Sequence, residues 1–310
     1  MYQIVRYESR GEWESARKMG IGASEIGAVL GISKWQTPYQ LWRKKKGIDT
    51  GEEDEAKQSI YLRGHLLEDG VAKWFEQKEN VSIDNDSVED FSVVSVEKPF
   101  LRVSPDRFFE KDGETCVLEC KTTALKVDPE EIPLYWYAQL QMNLGVCEKK
   151  KGALAWLGQG LEFGCVWYDF DPDFYGVIQE KAEEFWTRYI IGDEEPPITR
   201  AEDVTIKYQS ATVGKTIEAT KVEMEALGEL RLLKEKKKQT ETEIKIQEDK
   251  IKAFMGEAET LVDFEGVTMA TWKNSKGRES VDVKALKEAH PNIFKSFVKI
   301  GKPSRTFLIK

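Results

Sequence analysis

The stretch Arg102-Val-Ser-Pro-Asp-Arg-Phe-Phe-Glu-Lys-Asp-Gly-Glu-Thr-Cys-Val-Leu-Glu-Cys-Lys-Thr-Thr123 decides how this chain is read. Asp112-Gly113 is a two-residue hairpin signal between apolar runs, so the segment predicts two antiparallel strands. In the second strand, residues two apart share a face. Val117, Glu119 and Lys121 therefore lie on one side, Leu118 and Cys120 on the other. A glutamate and a lysine inside a core-type run must reach solvent, pair, or serve a site, because burying an isolated charge costs several kcal/mol. The plainer reading of Glu119-Cys120-Lys121 alone is a surface ion pair on an edge strand. Asp106 shifts that balance: it precedes Glu119 by 13 residues, and pairing across the hairpin brings the two carboxylates together. Two carboxylates with an adjacent lysine are what metal-assisted phosphodiester hydrolysis requires. The carboxylates hold a divalent ion that activates water, and the lysine orients that water or stabilises developing negative charge.

The remaining chain supports a well-formed core. It has 310 residues, nine of them Trp, and a net charge of −9. That charge argues weakly against nucleic-acid binding, yet a nuclease needs basic groups only where DNA runs. The four cysteines, Cys116, Cys120, Cys147 and Cys165, have neither CxxC nor zinc-type spacing, and there are two histidines. Reduced, mostly buried thiols are expected, and a catalytic metal would be oxygen-held, Mg²⁺ or Mn²⁺. The polar N-terminus does not resemble a signal peptide, and no apolar run approaches a membrane span. A cytoplasmic protein without membrane contact is expected.

Periodicity and caps predict an α/β (α+β) order. Residues 1–47 read as helical with a Gly-rich start, including a helix opening near Ala23 or Ser24. A second helix has Thr37 as N-cap, Pro38 in its first turn and Gly47 as C-cap. Residues 48–58 read as an acidic loop, and 59–79 as an amphipathic helix with Leu62, Leu66, Leu67, Val71, Trp74 and Phe75 inward. Residues 91–124 read as β. A helix over 131–146 follows, then two strands, then a helix over 172–191. The breaker Gly-Asp-Glu-Glu-Pro-Pro at 192–197 suggests a boundary between a core, 1–197, and a C-terminal part, 198–310. That part holds a long Lys/Glu-rich helical arm over about 216–256. Its Leu230, Leu233, Ile244, Ile251 and Phe254 fall at heptad spacing, interrupted by Lys237, Thr240 and Gln247. A hairpin, a short helix and a last strand, Ser304–Lys310, complete a small α/β appendage. Glu68, Gln139 and Gln141 are polar residues on otherwise apolar helices. Each reads alone as an exposed helix face, and together with Asp106 and Glu119 as groups turned toward a metal site.

Four segments in this order, "ARKMGIGASEIGAVLG", "RGHLLE", "SPD…LECKT" and "AQLQ", resemble the YqaJ-like viral recombinases. These are phage-type relatives of lambda exonuclease within the PD-(D/E)XK nuclease superfamily, and the resemblance spans about residues 10–190. It implies a central mixed β-sheet flanked by helices and a 5′→3′ exonuclease on linear double-stranded DNA. Such an enzyme leaves 3′ overhangs for a single-strand annealing protein. By position it implies Asp106, Glu119 and the Cys120 backbone carbonyl as metal ligands. Lys121 would act on the nucleophilic water, Glu68 would serve a second ion or its water, and Gln139 would orient that water. Two Mg²⁺ ions per site are implied, with Mn²⁺ as substitute. Arg17 and Ser24 would form a pocket for the 5′-terminal phosphate. The family's AQ segment often carries Tyr where this chain has Trp136. The resemblance also implies a ring-shaped homotrimer. The basic run Arg43-Lys44-Lys45-Lys46 reads either as a DNA-backbone contact or as a solvated helix end. Two other readings stand beside the exonuclease: an endonuclease on the same fold, and an inert core acting as a scaffold through the C-terminal arm.

Overall fold

The structure is a computed structural model and describes residues 1–49, 55–84, 91–277, 279–299, 301 and 305–309. The chain divides into two compact units, Met1–Lys207 and Tyr208–Lys310.

The first unit opens with β1 (Tyr2–Arg6), where the sequence suggested helix. Helix α1 (Arg10–Arg17) follows, capped by Ser9, whose side chain accepts from the Glu12 amide. β2 (Ile21–Gly22) runs into a 3₁₀ turn, Ala23–Glu25, and the short α2 (Ile26–Val29), which Gly31 ends at φ 72°. α3 (Pro38–Lys45) has the expected ends: Thr37 Oγ1 accepts from the Gln40 amide at 3.1 Å, and Gly47 sits at φ 66°. Of the expected acidic loop, residues 50–54 lie outside the described residues, and α4 (Glu55–Glu79) already begins within its last part.

β3 (Ser82–Asp84), β4 (Phe91–Ser95), β5 (Leu101–Val103), β6 (Arg107–Lys111) and β7 (Glu114–Thr122) come next. After them come α5 (Leu134–Val146), β8 (Lys151–Leu157), β9 (Phe163–Asp169) and α6 (Pro172–Glu184), which continues as a π-helical segment, Phe185–Ile191. α7 (Ala201–Lys207) ends the unit. The expected boundary at 197 falls inside it, because Asp203 is buried and accepts hydrogen bonds from Thr37 Oγ1 and Gln40 Nε2 of the α3 N-terminus.

The strands form two mixed sheets flanked by helices, the architecture expected from the sequence. The larger has the order β3-β6-β7-β8-β9, with β7 and β8 parallel and the other pairs antiparallel. The smaller has the order β1-β4-β5-β2. β7 is thus the middle strand of the larger sheet, not an edge. Its two faces enter two apolar clusters. Leu118 and Cys120 pack with Val71 and Phe75 of α4, and Val117 packs with Trp136, Leu140 and Leu144 of α5. Only the C-terminal half of α4 is buried as expected. Leu62, Leu66 and Leu67, expected inward, are exposed at 59%, 69% and 36%.

In the second unit, α8 (Lys221–Met255) is 35 residues long. It leads to the hairpin β10 (Thr260–Val262) and β11 (Thr268–Thr271), then α9 (Val283–Ala289) and α10 (Pro291–Phe297). Residues 305–309 pair with no strand, contrary to the expected final strand; Ser304 and Lys310 lie outside the described residues. The described cysteines are free thiols, three of them buried. No described helix is long and apolar enough to cross a membrane.

Candidate active site

The hairpin brings the acidic groups together. β6 pairs with β7 in the register Arg107↔Leu118, so Asp106 enters opposite Glu119. The turn needs left-handed backbone at both central positions, and Asp112 and Gly113 adopt it at φ 53° and 79°. Asp106 Oδ2 accepts the Cys120 amide at 2.7 Å, which ties the carboxylate to the middle strand. Glu119 is 1% exposed, so the edge-strand ion pair is excluded.

Three polar groups converge on Glu119. Its Oε1 accepts from Lys121 Nζ at 2.7 Å and from Gln139 Nε2, and its Oε2 accepts from Asn143 Nδ2 at 2.6 Å. Lys121 Nζ also donates to Gln139 Oε1 at 2.9 Å. Burial would push the Lys121 ammonium down, but Glu119 and Asp106 beside it outweigh this and hold it above its usual value. Asp106 is pushed up to about 7 by burial and by the charge of Glu119. Glu68 is raised as well, by burial and then by Asp106, while Arg107 pulls it back.

Arg107 is a group the sequence reading passed over. It is 4% exposed, and its guanidinium donates to Glu68 Oε1 at 2.7 Å, to Asp69 and to the Asp106 carbonyl. It therefore docks α4 onto the start of β6 and fixes Glu68 near Asp106. The signal was its place directly after Asp106. Asn143 was passed over too, although it stands four residues after Gln139 and so on the same helix face. Gln141, by contrast, points away. It bonds the Asp169 carbonyl and the Asp171 amide, and it holds the β9–α6 connection.

A cleft of about 430 Å³ joins this cluster to a basic one. Its wall carries Glu68, Asp106 and Gln139 at one end and Arg17 and Ser24 at the other, with Trp13 among the lining groups. Arg17 Nη2 donates to Ser24 Oγ at 2.8 Å. The Arg17 guanidinium lies 4.7 Å over the Trp13 ring, with Arg10 at 3.8 Å over the same ring. Trp13 stands one helical turn before Arg17, a spacing that could have pointed to it. Gly22 leaves room for this arrangement, since a Cβ there would stand 3.3 Å from Arg17 Nη2.

The basic run of α3 is not one surface. Lys45 has a 3% exposed side chain, paired with Glu25 at 2.6 Å and donating to the Arg17 carbonyl at 2.8 Å. Glu25 in turn accepts the Gly22 amide at 2.9 Å. Lys45 is therefore turned inward, where it buttresses the turn carrying Arg17 and Ser24. Arg43 pairs with Asp49 at 2.7 Å, and Lys46 Nζ donates to the Gly192 carbonyl at 3.3 Å. Lys44 follows in the same last turn of the helix.

Among the described residues no three His, Cys, Asp or Glu side chains stand where they could hold a metal by themselves. Asp106 and Glu119, with Glu68 nearby, nevertheless fit a hard cation. The donors are oxygens, and the repulsion from Glu119 that adds to burial in raising Asp106 is what a divalent charge would relieve. Two carboxylates completed by backbone, water and substrate phosphate is the usual provision for Mg²⁺.

A family model described as the YqaJ-like viral recombinase domain matches residues 12–150, which include Asp106, Glu119, Lys121, Gln139 and the Arg17/Ser24 pair. The uncharacterized protein YqaJ of Bacillus subtilis (strain 168) is 31% identical over 303 residues, covering 94% of this chain and 91% of that protein. Among solved structures, the alkaline exonuclease LHK-Exo of Laribacter hongkongensis matches at 14% identity and a TM-score of 0.46, over 64% of this chain and 97% of that one. A phage-related exonuclease from Haemophilus somnus 129PT matches at 12% identity and 0.41, over 62% and 96%. On the full-length likeness to YqaJ and the matching family model, the chain belongs to the YqaJ-like viral recombinase family.

Proposed function

We propose that this protein is a metal-dependent 5′→3′ exonuclease on linear double-stranded DNA that leaves 3′ single-stranded overhangs for an annealing protein. The observation that carries this reading is one cleft with Glu68, Asp106 and Gln139 at one end, where Gln139 bonds Glu119 and Lys121 behind the wall, and the arginine–serine pair at the other. The first end suits phosphodiester hydrolysis. The second suits a terminal phosphate, since a guanidinium fork and a hydroxyl are both donors to phosphate oxygens. An enzyme cutting internally has no need of an end-binding pair beside its hydrolytic cluster.

Asp106, Glu119 and the Cys120 carbonyl would hold one Mg²⁺ ion, with Glu68 toward a second, and Mn²⁺ as substitute. The metal would polarise the scissile phosphate and lower the pKa of a bound water. Lys121, kept charged by Glu119 and Asp106, is placed to steady the attacking water and the charge that develops on the phosphate. Gln139 bonds both Glu119 and Lys121, so it fixes their separation and can orient water at the cleft wall. Arg107 holds Glu68 in register with Asp106. Arg17 and Ser24 would seat the 5′-phosphate and present the first internucleotide bond to the acidic end. Contacts of this kind read phosphate and not base, so no sequence preference follows. Association into a ring around the duplex would let an acidic chain stay on DNA despite weak electrostatic attraction.

The test is a linear duplex with a 5′-phosphate on one end and a 5′-hydroxyl on the other, incubated with Mg²⁺. Release of mononucleotides chiefly from the phosphorylated 5′ strand supports the proposal. Cutting of closed circular DNA, or equal loss from both ends, overturns it.

A further inference from the structure

α8 of the second unit is the least covered long element in the chain. At 35 residues it is about 52 Å long by the helical rise. Helices in water draw most of their stability from packing an apolar face, yet Leu233, Ile244, Ile251 and Phe254 are 54%, 53%, 44% and 79% exposed. These residues fall in one heptad register. Leu230, Lys237, Ile244 and Ile251 take the first core position, and Ala226, Leu233, Thr240, Gln247 and Phe254 take the second. A shallow groove of about 440 Å³ lies along this seam, lined by Thr240, Glu243, Ile244, Gln247, Glu248 and Ile251.

The charges beside the seam select the occupant. If a second α8 lies antiparallel with Leu233 opposite the partner's Ile244, Ala226 meets the partner's Ile251 and Leu230 meets the partner's Gln247. Lys237 then falls beside the partner's Thr240 and not beside another lysine. In that register Glu229 faces the partner's Lys250, Lys236 faces the partner's Glu243, and Lys234 faces the partner's Glu241. Each of these flanking charge pairs joins opposite signs. The parallel alternative keeps two opposite-sign pairs, Glu229 with the partner's Lys234 and Lys236 with the partner's Glu241, but it stacks Lys237 on itself and sets Glu243 against the partner's Glu248, and like charges at such positions are destabilising. We propose that α8 is a self-association arm that pairs antiparallel with α8 of a second copy of this chain.

The test uses full-length Leu233→Cys and Ile244→Cys variants, oxidised mildly, alone and mixed, and resolved without reductant. The wild type supplies the background, since three of its four thiols are buried. A disulfide-linked dimer from the mixture, absent from either variant alone, is expected. Adding Glu229→Lys to both variants should lower the yield of that dimer, and adding Lys250→Glu on top should restore it. Cross-linking of Leu233→Cys with itself would mean parallel pairing and overturn the proposal. So would the absence of a dimer from the mixture, or the failure of the second charge reversal to rescue the first.

Discussion

The two ends of the cleft are built on opposite electrostatic plans. At the acidic end, charges are buried and crowded: Glu119 is 1% exposed and takes hydrogen bonds from Lys121, Gln139 and Asn143, while Asp106 beside it is pushed up to about 7. At the basic end, Arg17 lies at the exposed end of a short helix, held by one hydroxyl and one aromatic face. Its support, the Lys45–Glu25 pair, is the buried part. The difference teaches where each cost is borne. The acidic end crowds buried carboxylates that a bound cation would relieve, and it is built into the middle strand of a sheet. The basic end meets an anion that brings its own charge, and a rigid turn suffices.

The largest effect should come from breaking the acidic end. Lys121→Ala removes the ammonium that faces both carboxylates and should lower kcat roughly 10²–10⁴-fold, with duplex binding retained. Glu119→Gln should do the same, and added Mn²⁺ should rescue it partly where it does not rescue Lys121→Ala. Single-turnover digestion with matched binding assays checks this. A variant within tenfold of wild type would remove Lys121 from the chemistry.

Breaking the basic end should act on ends alone. Arg17→Ala forfeits charge-assisted hydrogen bonds and should raise KM for 5′-phosphorylated duplex by roughly 10–100-fold, leaving 5′-hydroxyl duplex nearly unchanged. The two ends of the cleft would then be separable in kinetics. Equal loss on both substrates would mean that Arg17 only supports the fold around Ser24.

A smaller effect is expected behind Glu119. Asn143 donates to Glu119 Oε2, while its own Oδ1 is buried with no partner among the described residues. Asn143→Ala should lower metal affinity by roughly tenfold on every substrate. The measurement is the Mg²⁺ concentration for half-maximal rate, which a purely structural residue would leave in place.

This contrast also explains what the sequence could and could not convey. The acidic end was legible because it rests on local rules. Asp-Gly fixes the hairpin, period two puts Glu119 and Lys121 on one face, and a 13-residue spacing sets Asp106 opposite them. The α3 caps at Thr37 and Gly47 were legible for the same reason. Lys45 was not, because a helix-end lysine is normally solvated, and only the long-range approach of Glu25 and the Arg17 carbonyl turns it inward. Arg107 escaped in the same way: its partners Glu68 and Asp69 lie on a helix nearly forty residues earlier in the chain. Leu62 and Leu66 have the right helical period for a core, but period cannot say whether another element will cover it.

The last and smallest expected effect concerns the proton that competes with the cation at the acidic end. Asp106 has its pKa raised from 3.8 to about 7 in the metal-free protein. A raised acid favours the folded state at low pH, and that advantage is lost as the pH climbs through the folded value. Metal-free protein should therefore lose thermal stability between about pH 4 and pH 7, as far as Asp106 governs it. A metal ligand must be deprotonated, so Mg²⁺ held by Asp106 would have to displace that proton below about pH 7 and would bind without this cost above it. The rise in Tm on adding saturating Mg²⁺ should then be a few degrees larger at about pH 8 than at about pH 6. Asp106→Asn should flatten the difference, while Arg17→Ala should leave it intact, because the basic end takes no part in it. A Tm rise independent of pH would place the metal away from Asp106, and the opposition between the two ends of the cleft would have to be drawn around other carboxylates.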